Sequence, residues 1–284
     1  MKIGVVLEGG GIKGLYTAGV LDYWMDENLE FQGFIGVSAG AAFGVNYLSK
    51  QKGRALTYNL KYNKDPNYMG WRCLLKTGDF FNREFAYERV PKELVPFDDV
   101  TYYEKASEIP FYAAVTNMTT GQAEYLRILQ IFEQMDILRA SASMPFVSTP
   151  VPLEGGVYLD GAVADSIPVD QCLAFGYDKL VVVLTKDKDY VRKPISPIMA
   201  DLFYPKRKYP KFNEALKNRH IVYNNTLERI KELEEKGIAF VLRPSEHRSI
   251  SRVEKNPEKM QSVYDLGVKD AKETIEALRK FMNS

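Results

Sequence analysis

Cysteine is nearly missing: 284 residues carry only Cys73 and Cys172. Two thiols that far apart exclude a cysteine-rich metal site, and a chain of this length needs no disulfide to hold its core. Reduced thiols and a cytoplasmic location are expected. Net charge is also nearly missing, at +1, so no global field draws the protein to nucleic acid, and none is expected as a partner. Basic clusters at Lys206-Arg207-Lys208 and at Lys211, Lys217 and Arg219 read as solvated faces. Histidine is limited to His220 and His247, which leaves few candidates for a general base. Long hydrophobic runs are absent too. The longest uncharged stretch, Phe31 to Ser49, is broken by Gln32, Ser38, Asn46 and repeated glycines, which suits a buried strand, turn and helix rather than a membrane span. Strand residues from Lys2 onward leave no room for the basic start and apolar core of a leader.

What is present is an alternation of strands and helices. Lys2–Leu7 and Phe34–Val37 read as buried strands, each followed by a helix, Gly14–Asn28 and Ala39–Ser49. That rhythm predicts a parallel sheet with right-handed crossovers. From Arg54 to Tyr103 the pattern weakens into irregular helices rich in aromatics, among them Tyr58 and Phe85, which suit either a lid or substrate wall or ordinary packing. Ile109–Thr116, Ala123–Leu126, Val157–Leu159 and Lys179–Leu184 read as further strands, with helical spacing over Ile128–Ser143 and from Pro168 to Ala174. Beyond Asp187 the composition turns to Lys, Arg, Pro and Tyr, with a charged helix expected over Asn225–Lys236, a strand at Ile238–Leu242 and a last helix over Pro257–Met282. The expected organisation is an α/β domain over residues 1–186 and a helix-rich C-terminal extension over 187–284, packed against it.

Two glycine-rich turns carry the chemistry. Gly36-Val37-Ser38-Ala39-Gly40 follows a strand and opens a helix, the setting that lifts a serine hydroxyl above a sheet, with Gly36 and Gly40 permitting the cramped backbone. Gly9-Gly10-Gly11-Ile12-Lys13-Gly14 matches a dinucleotide fingerprint in its glycine spacing. The acidic residue needed after the next strand is missing, however, because that strand ends in Ser38. A phosphate-cradling loop fails as well, since Lys13 precedes Gly14 and no Lys-Ser/Thr pair follows. Consecutive glycine amides at a helix start can instead stabilise the oxyanion of an attacked ester. Lys13 adds charge near that loop or is simply a surface lysine. The base is open between a histidine, in the chain order Ser38, Asp160, His220 or His247, and Asp160 acting directly.

Glu8-Gly9-Gly10-Gly11-Ile12-Lys13-Gly14, Gly36-Val37-Ser38-Ala39-Gly40 and Asp160-Gly161-Ala162, in that order, resemble the patatin-like phospholipase family. Ala140-Ser141-Ala142-Ser143-Met144-Pro145 and Asp165-Ser166-Ile167-Pro168 resemble the family's segments around its catalytic aspartate. The similarity runs from Lys2 to Thr185. It implies a three-layer α/β/α fold with a mostly parallel sheet, and a Ser38–Asp160 dyad with an oxyanion hole drawn from Gly9 to Gly14. It also implies hydrolysis of lipid acyl esters without metal or cofactor, with transient contact at a membrane surface. Lys13 stands where the family more often has arginine, keeping charge but losing the bidentate fork. An ionised aspartate of ordinary pKa, about 3.9, is a weak base toward a serine hydroxyl, so burial is expected to raise it. An acyltransferase using the same acyl-serine, or a silent lipid-binding protein, are the alternatives.

Overall fold

The computed structural model describes every residue from Met1 to Ser284. Two strand–helix units open the chain: β1 (Ile3–Leu7), α1 (Leu15–Asp26), β2 (Gly33–Val37) and α2 (Ala39–Leu48). A helical excursion follows, comprising α3 (Arg54–Tyr62), α4 (Trp71–Thr77), a π-helical stretch Glu84–Leu94 and α5 (Asp99–Glu108). Next come β3 (Phe111–Asn117), β4 (Ala123–Arg127), α6 (Met135–Ser141), β5 (Val151–Leu153), β6 (Gly156–Asp160), α7 (Val169–Ala174) and β7 (Lys179–Val183). The chain closes with α8 (Pro197–Phe203), α9 (Pro210–Glu235), β8 (Ala239–Leu242) and α10 (Pro257–Asn283).

The sheet runs β5-β6-β3-β2-β1-β7-β8, with β4 pairing β3 off this path. Its centre is parallel: β1 lies between β2 and β7, β2 pairs β3, and β7 pairs β8. The β3–β4, β3–β6 and β5–β6 pairs are antiparallel. Strand alternation divides the apolar residues between two faces. Ile3, Val5, Leu7 and Phe34 join one core with α1, α2 and α10, while Val6, Ile35, Leu180 and Val182 join another with α7 and α9. Burial on both faces explains why the central strands carry almost no polar residue. The fold is therefore three-layered, as the family resemblance implies.

Residues beyond 187 are built into this core. β8 adds the edge strand beside β7, and α10 crosses α1 where both helices present glycine. A Cβ on Gly19 would strike the Tyr264 backbone, and one on Gly267 would strike that of Tyr16. Two tyrosines clasp the crossing in opposite directions: Tyr16 donates to Asp270 Oδ2 at 3.1 Å and Tyr264 to Asp22 Oδ2 at 2.6 Å. No helix is long and apolar enough to cross a membrane. Cys73 and Cys172 are free and buried.

Three expectations need correction. The helix expected over Ile128–Ser143 is confined to Met135–Ser141, because the Gln134 side chain accepts the N–H groups of Leu129 and Gln130 and turns the chain there. The charged helix begins at Pro210, not Asn225; its stripe of Phe212, Leu216, Tyr223, Ile230 and Leu233 is diluted among charged residues. Arg219 does not lie on a solvated face: it reaches into a cavity, whereas Lys206, Arg207 and Lys208 are exposed as expected.

Candidate active site

Ser38 occupies the turn between β2 and α2 with φ 55° and ψ −121°, a conformation that costs a non-glycine residue of order 1–3 kcal/mol. The surroundings enforce it. Gly36 lies against the Ala41 backbone and Gly40 against the carbonyls of Leu7 and Glu8, so neither position has room for a Cβ. The Ser38 N–H donates to Ser141 Oγ at 2.9 Å, tying the turn to α6. The result is a serine that is only 6% exposed yet lines two cavities.

Asp160 ends β6 and comes to Ser38 by sheet register. Val37 pairs with Ala114 of β3, and Val115 pairs with Asp160. Only β3 separates the two strands, so the backbones stand roughly 10 Å apart, and both residues line one cavity. The Asp160 N–H donates to the Ser143 carbonyl, and its Oδ1 accepts the Ala162 N–H at 2.8 Å. Burial pushes the carboxyl above its ordinary pKa; Arg219, the Ala162 N–H, the Ser38 hydroxyl and Arg252 pull the other way without cancelling it.

The glycine loop packs directly on Ser38. A Cβ on Gly9 would lie 2.8 Å from that of Ser38, and one on Gly10 would lie 2.7 Å from Thr185 Oγ1. The amides of Gly9, Gly10 and Gly11 donate to no protein acceptor. The Ile12 N–H is taken by the Arg252 carbonyl at 3.0 Å, and Gly14 is buried against Ala39 and Phe43. The Lys13 side chain lines a neighbouring cavity with Thr185, Asp187 and His247 rather than the one holding Asp160. Glu8, 1% exposed, fixes the loop from behind: Oε2 accepts from the Thr185 N–H and hydroxyl, Oε1 from the Tyr223 hydroxyl, and Lys186 stands 3.5 Å away. Gly11 is left-handed at φ +57° and its missing Cβ would strike the Arg252 carbonyl. Gly11→Ala is therefore expected to cost at least about 1–2 kcal/mol from the backbone alone, read as a lowered Tm in a thermal melt. An unchanged Tm would show that the loop is not held as described.

Ser38 sits where two unlike cavities meet. One is apolar, walled by Tyr58, Phe81, Tyr87, Val90, Leu138 and Met144, and its wall includes the π-helical stretch. Irregular helix of this kind is frequent at functional sites. The other is polar, holding Gly9 to Gly11, Asp160, Lys186, Arg192, Arg219 and Arg252. The four basic residues were not singled out as site residues from the sequence, and nothing local marks them: Lys186 and Arg192 share the loop between β7 and α8, while Arg219 comes from α9 and Arg252 from the segment before α10. Neither histidine reaches Ser38. His247 Nδ1 lies 2.6 Å from Asp187 Oδ2, and His220 Nδ1 lies 2.9 Å from the Lys217 carbonyl.

A family model described as patatin-like phospholipase matches residues 5–173, and one described as a domain of unknown function (DUF6363) matches residues 209–283. The chain is 29% identical over 186 residues to the uncharacterized protein YjjU of Escherichia coli (strain K12), covering 65% of this chain and 52% of that protein. It is 25% identical over 196 residues to lysophospholipase nte1 of Aspergillus niger, covering 64% of this chain and 12% of nte1. The chain thus spans about half the length of the first relative and about an eighth of the second. The crystal structure of VipD from Legionella pneumophila aligns with a TM-score of 0.47 at 12% identity, covering 97% of this chain and 67% of VipD.

Proposed function

The chain belongs to the patatin-like phospholipase family, and from that premise we propose that it is a serine acyl hydrolase cleaving lipid esters through Ser38 and Asp160. The observation that carries this reading is the convergence of a strained serine, a buried carboxylate and three free glycine amides on one cavity. Ser38 Oγ attacks the ester carbon while its proton passes to Asp160. The oxyanion rests against the amides of Gly9, Gly10 and Gly11, donors whose individual loss typically costs about 2.7–4 kcal/mol of transition-state stabilisation. The proton on Asp160 then leaves with the alcohol. Water, deprotonated by Asp160, attacks the acyl-serine, and Asp160 returns that proton to Ser38 Oγ as the carboxylic acid is released.

The apolar cavity takes the acyl chain. Contact with the lipid surface falls to α8, whose Ile198, Leu202 and Phe203 are exposed, followed by the exposed Lys206, Arg207 and Lys208. The Phe203 ring stacks edgewise on Phe146, which lines the polar cavity, so this face borders the entrance.

The reaction should follow a single acid limb. Asp160 works ionised, and its folded-state pKa is raised, so activity is present above that pKa and lost as pH falls through it. Stopped-time release of p-nitrophenol from a short acyl ester is expected to halve at a pH above the ordinary carboxylate value of about 3.9. Absence of any ester turnover, or of labelling by a fluorophosphonate at Ser38, would overturn the hydrolase reading.

A further inference from the structure

Arg192, Arg219 and Arg252 converge on the polar cavity beside Ser38 and Asp160. Their presence there is not explained by internal pairing. Arg192 is 9% exposed, its Nε has no hydrogen-bond partner, and its guanidinium carbon stacks 4.2 Å from the Tyr223 ring centre. The buried Nε of Arg219 also lacks a partner. Lys186, a fourth cation, is 6% exposed and reaches Glu8 at 3.5 Å, but that carboxylate is already engaged by Thr185 and Tyr223. Asp160 is the one carboxylate lining the cavity.

Like charges that outnumber their counter-charges are unfavourable in a poorly solvated site, and Arg219 and Lys186 respond. Burial, aided by Arg192 and Arg252, pulls Arg219 down to about 9, and burial pulls Lys186 down to about 8. An anion with several acceptor oxygens would satisfy the vacant guanidinium donors and offset the repulsion. Its place in a substrate follows from the two cavities, since Gly11, Ser38 and Met144 line both. An ester with its carbonyl at Ser38 and its chain among the aromatics directs its alcohol portion toward the arginines.

We propose that this cavity binds the phosphate of the substrate's head group, and that the preferred substrates are acyl esters ending in a phosphomonoester, of the lysophosphatidate type. The assignment rests on the hydrolase reading for its catalytic half only. A choline or ethanolamine cation on the phosphate would face three arginines, with Asp160 the sole carboxylate lining the site, so zwitterionic lipids are disfavoured.

The test compares kcat/KM of the full chain on oleoyl-lysophosphatidate, oleoyl-lysophosphatidylcholine and monooleoylglycerol in one detergent. The wild type is expected to favour the phosphomonoester by about tenfold or more, and Arg219→Met and Arg192→Met each to cut that ratio at least about threefold. The ratio is the readout because Arg219 also acts on Asp160, an effect shared by all three substrates. A wild-type ratio near one, or a ratio unmoved in both variants, overturns the proposal. Titration calorimetry on Ser38→Ala separates the sources of phosphate: lysophosphatidate binding more tightly than inorganic phosphate supports a head-group site. Equal binding of the two assigns the site to free phosphate and overturns the substrate assignment. If no ester is hydrolysed, the catalytic reading falls while this titration still decides the anion site.

Discussion

Ser38→Ala is expected to lower kcat/KM on a p-nitrophenyl acyl ester by about 10⁴-fold or more, with no acyl-enzyme burst. The size follows from what is removed: without Oγ there is no covalent intermediate, and only binding and the glycine amides remain to act on the ester. Ser38→Gly should be equally inactive but more stable than Ser38→Ala, by about 1 kcal/mol, because glycine relieves a φ of 55° that alanine must still adopt. Activity and stability thereby separate at one position. Equal Tm for the two variants would mean that the turn relaxes and stores no strain; activity within tenfold of wild type in Ser38→Ala would remove this serine from the reaction.

The turn around Ser38 was legible because its signal is local. A strand end, two glycines and a helix start lie within five residues, and each glycine proves necessary for close approach to Leu7, Glu8 or Ala41. Asp160 was legible only through the ordered resemblance, since Asp-Gly alone marks any turn and its nearness to Ser38 depends on β3 register. The cationic half of the site was not legible. Arg192 precedes α8, Arg219 lies within α9 and Arg252 lies between β8 and α10, so no window of sequence contains two of them together. In a basic stretch, Arg219 looks like its solvated neighbours until the stripe from Phe212 to Leu233 fixes which face of α9 turns inward. The reciprocal glycines of α1 and α10 pose the same problem, each being unremarkable until the other lies against it.

Asp160→Asn tests the remaining half of the pair and should cost about 10²–10⁴-fold in kcat/KM, the usual worth of a positioned general base. Asparagine is the informative replacement, since its Oδ1 can keep the bond from the Ala162 N–H that orients the side chain. The stability effect should run opposite to the activity effect. A carboxyl whose folded-state pKa is raised destabilises the fold once pH exceeds its unfolded value, so replacing it with a neutral amide should leave Tm at neutral pH unchanged or higher. Combining the change with Ser38→Ala should add almost nothing to the loss, because the two groups act on one proton. His220→Ala with His247→Ala should keep activity within a few-fold, as His247 is held by Asp187 and His220 by its own helix. A histidine variant as inactive as Ser38→Ala, beside an active Asp160→Asn, would transfer the base to histidine. The raised carboxyl would then be a buried structural charge, and the acid limb of the pH profile would no longer be set by Asp160.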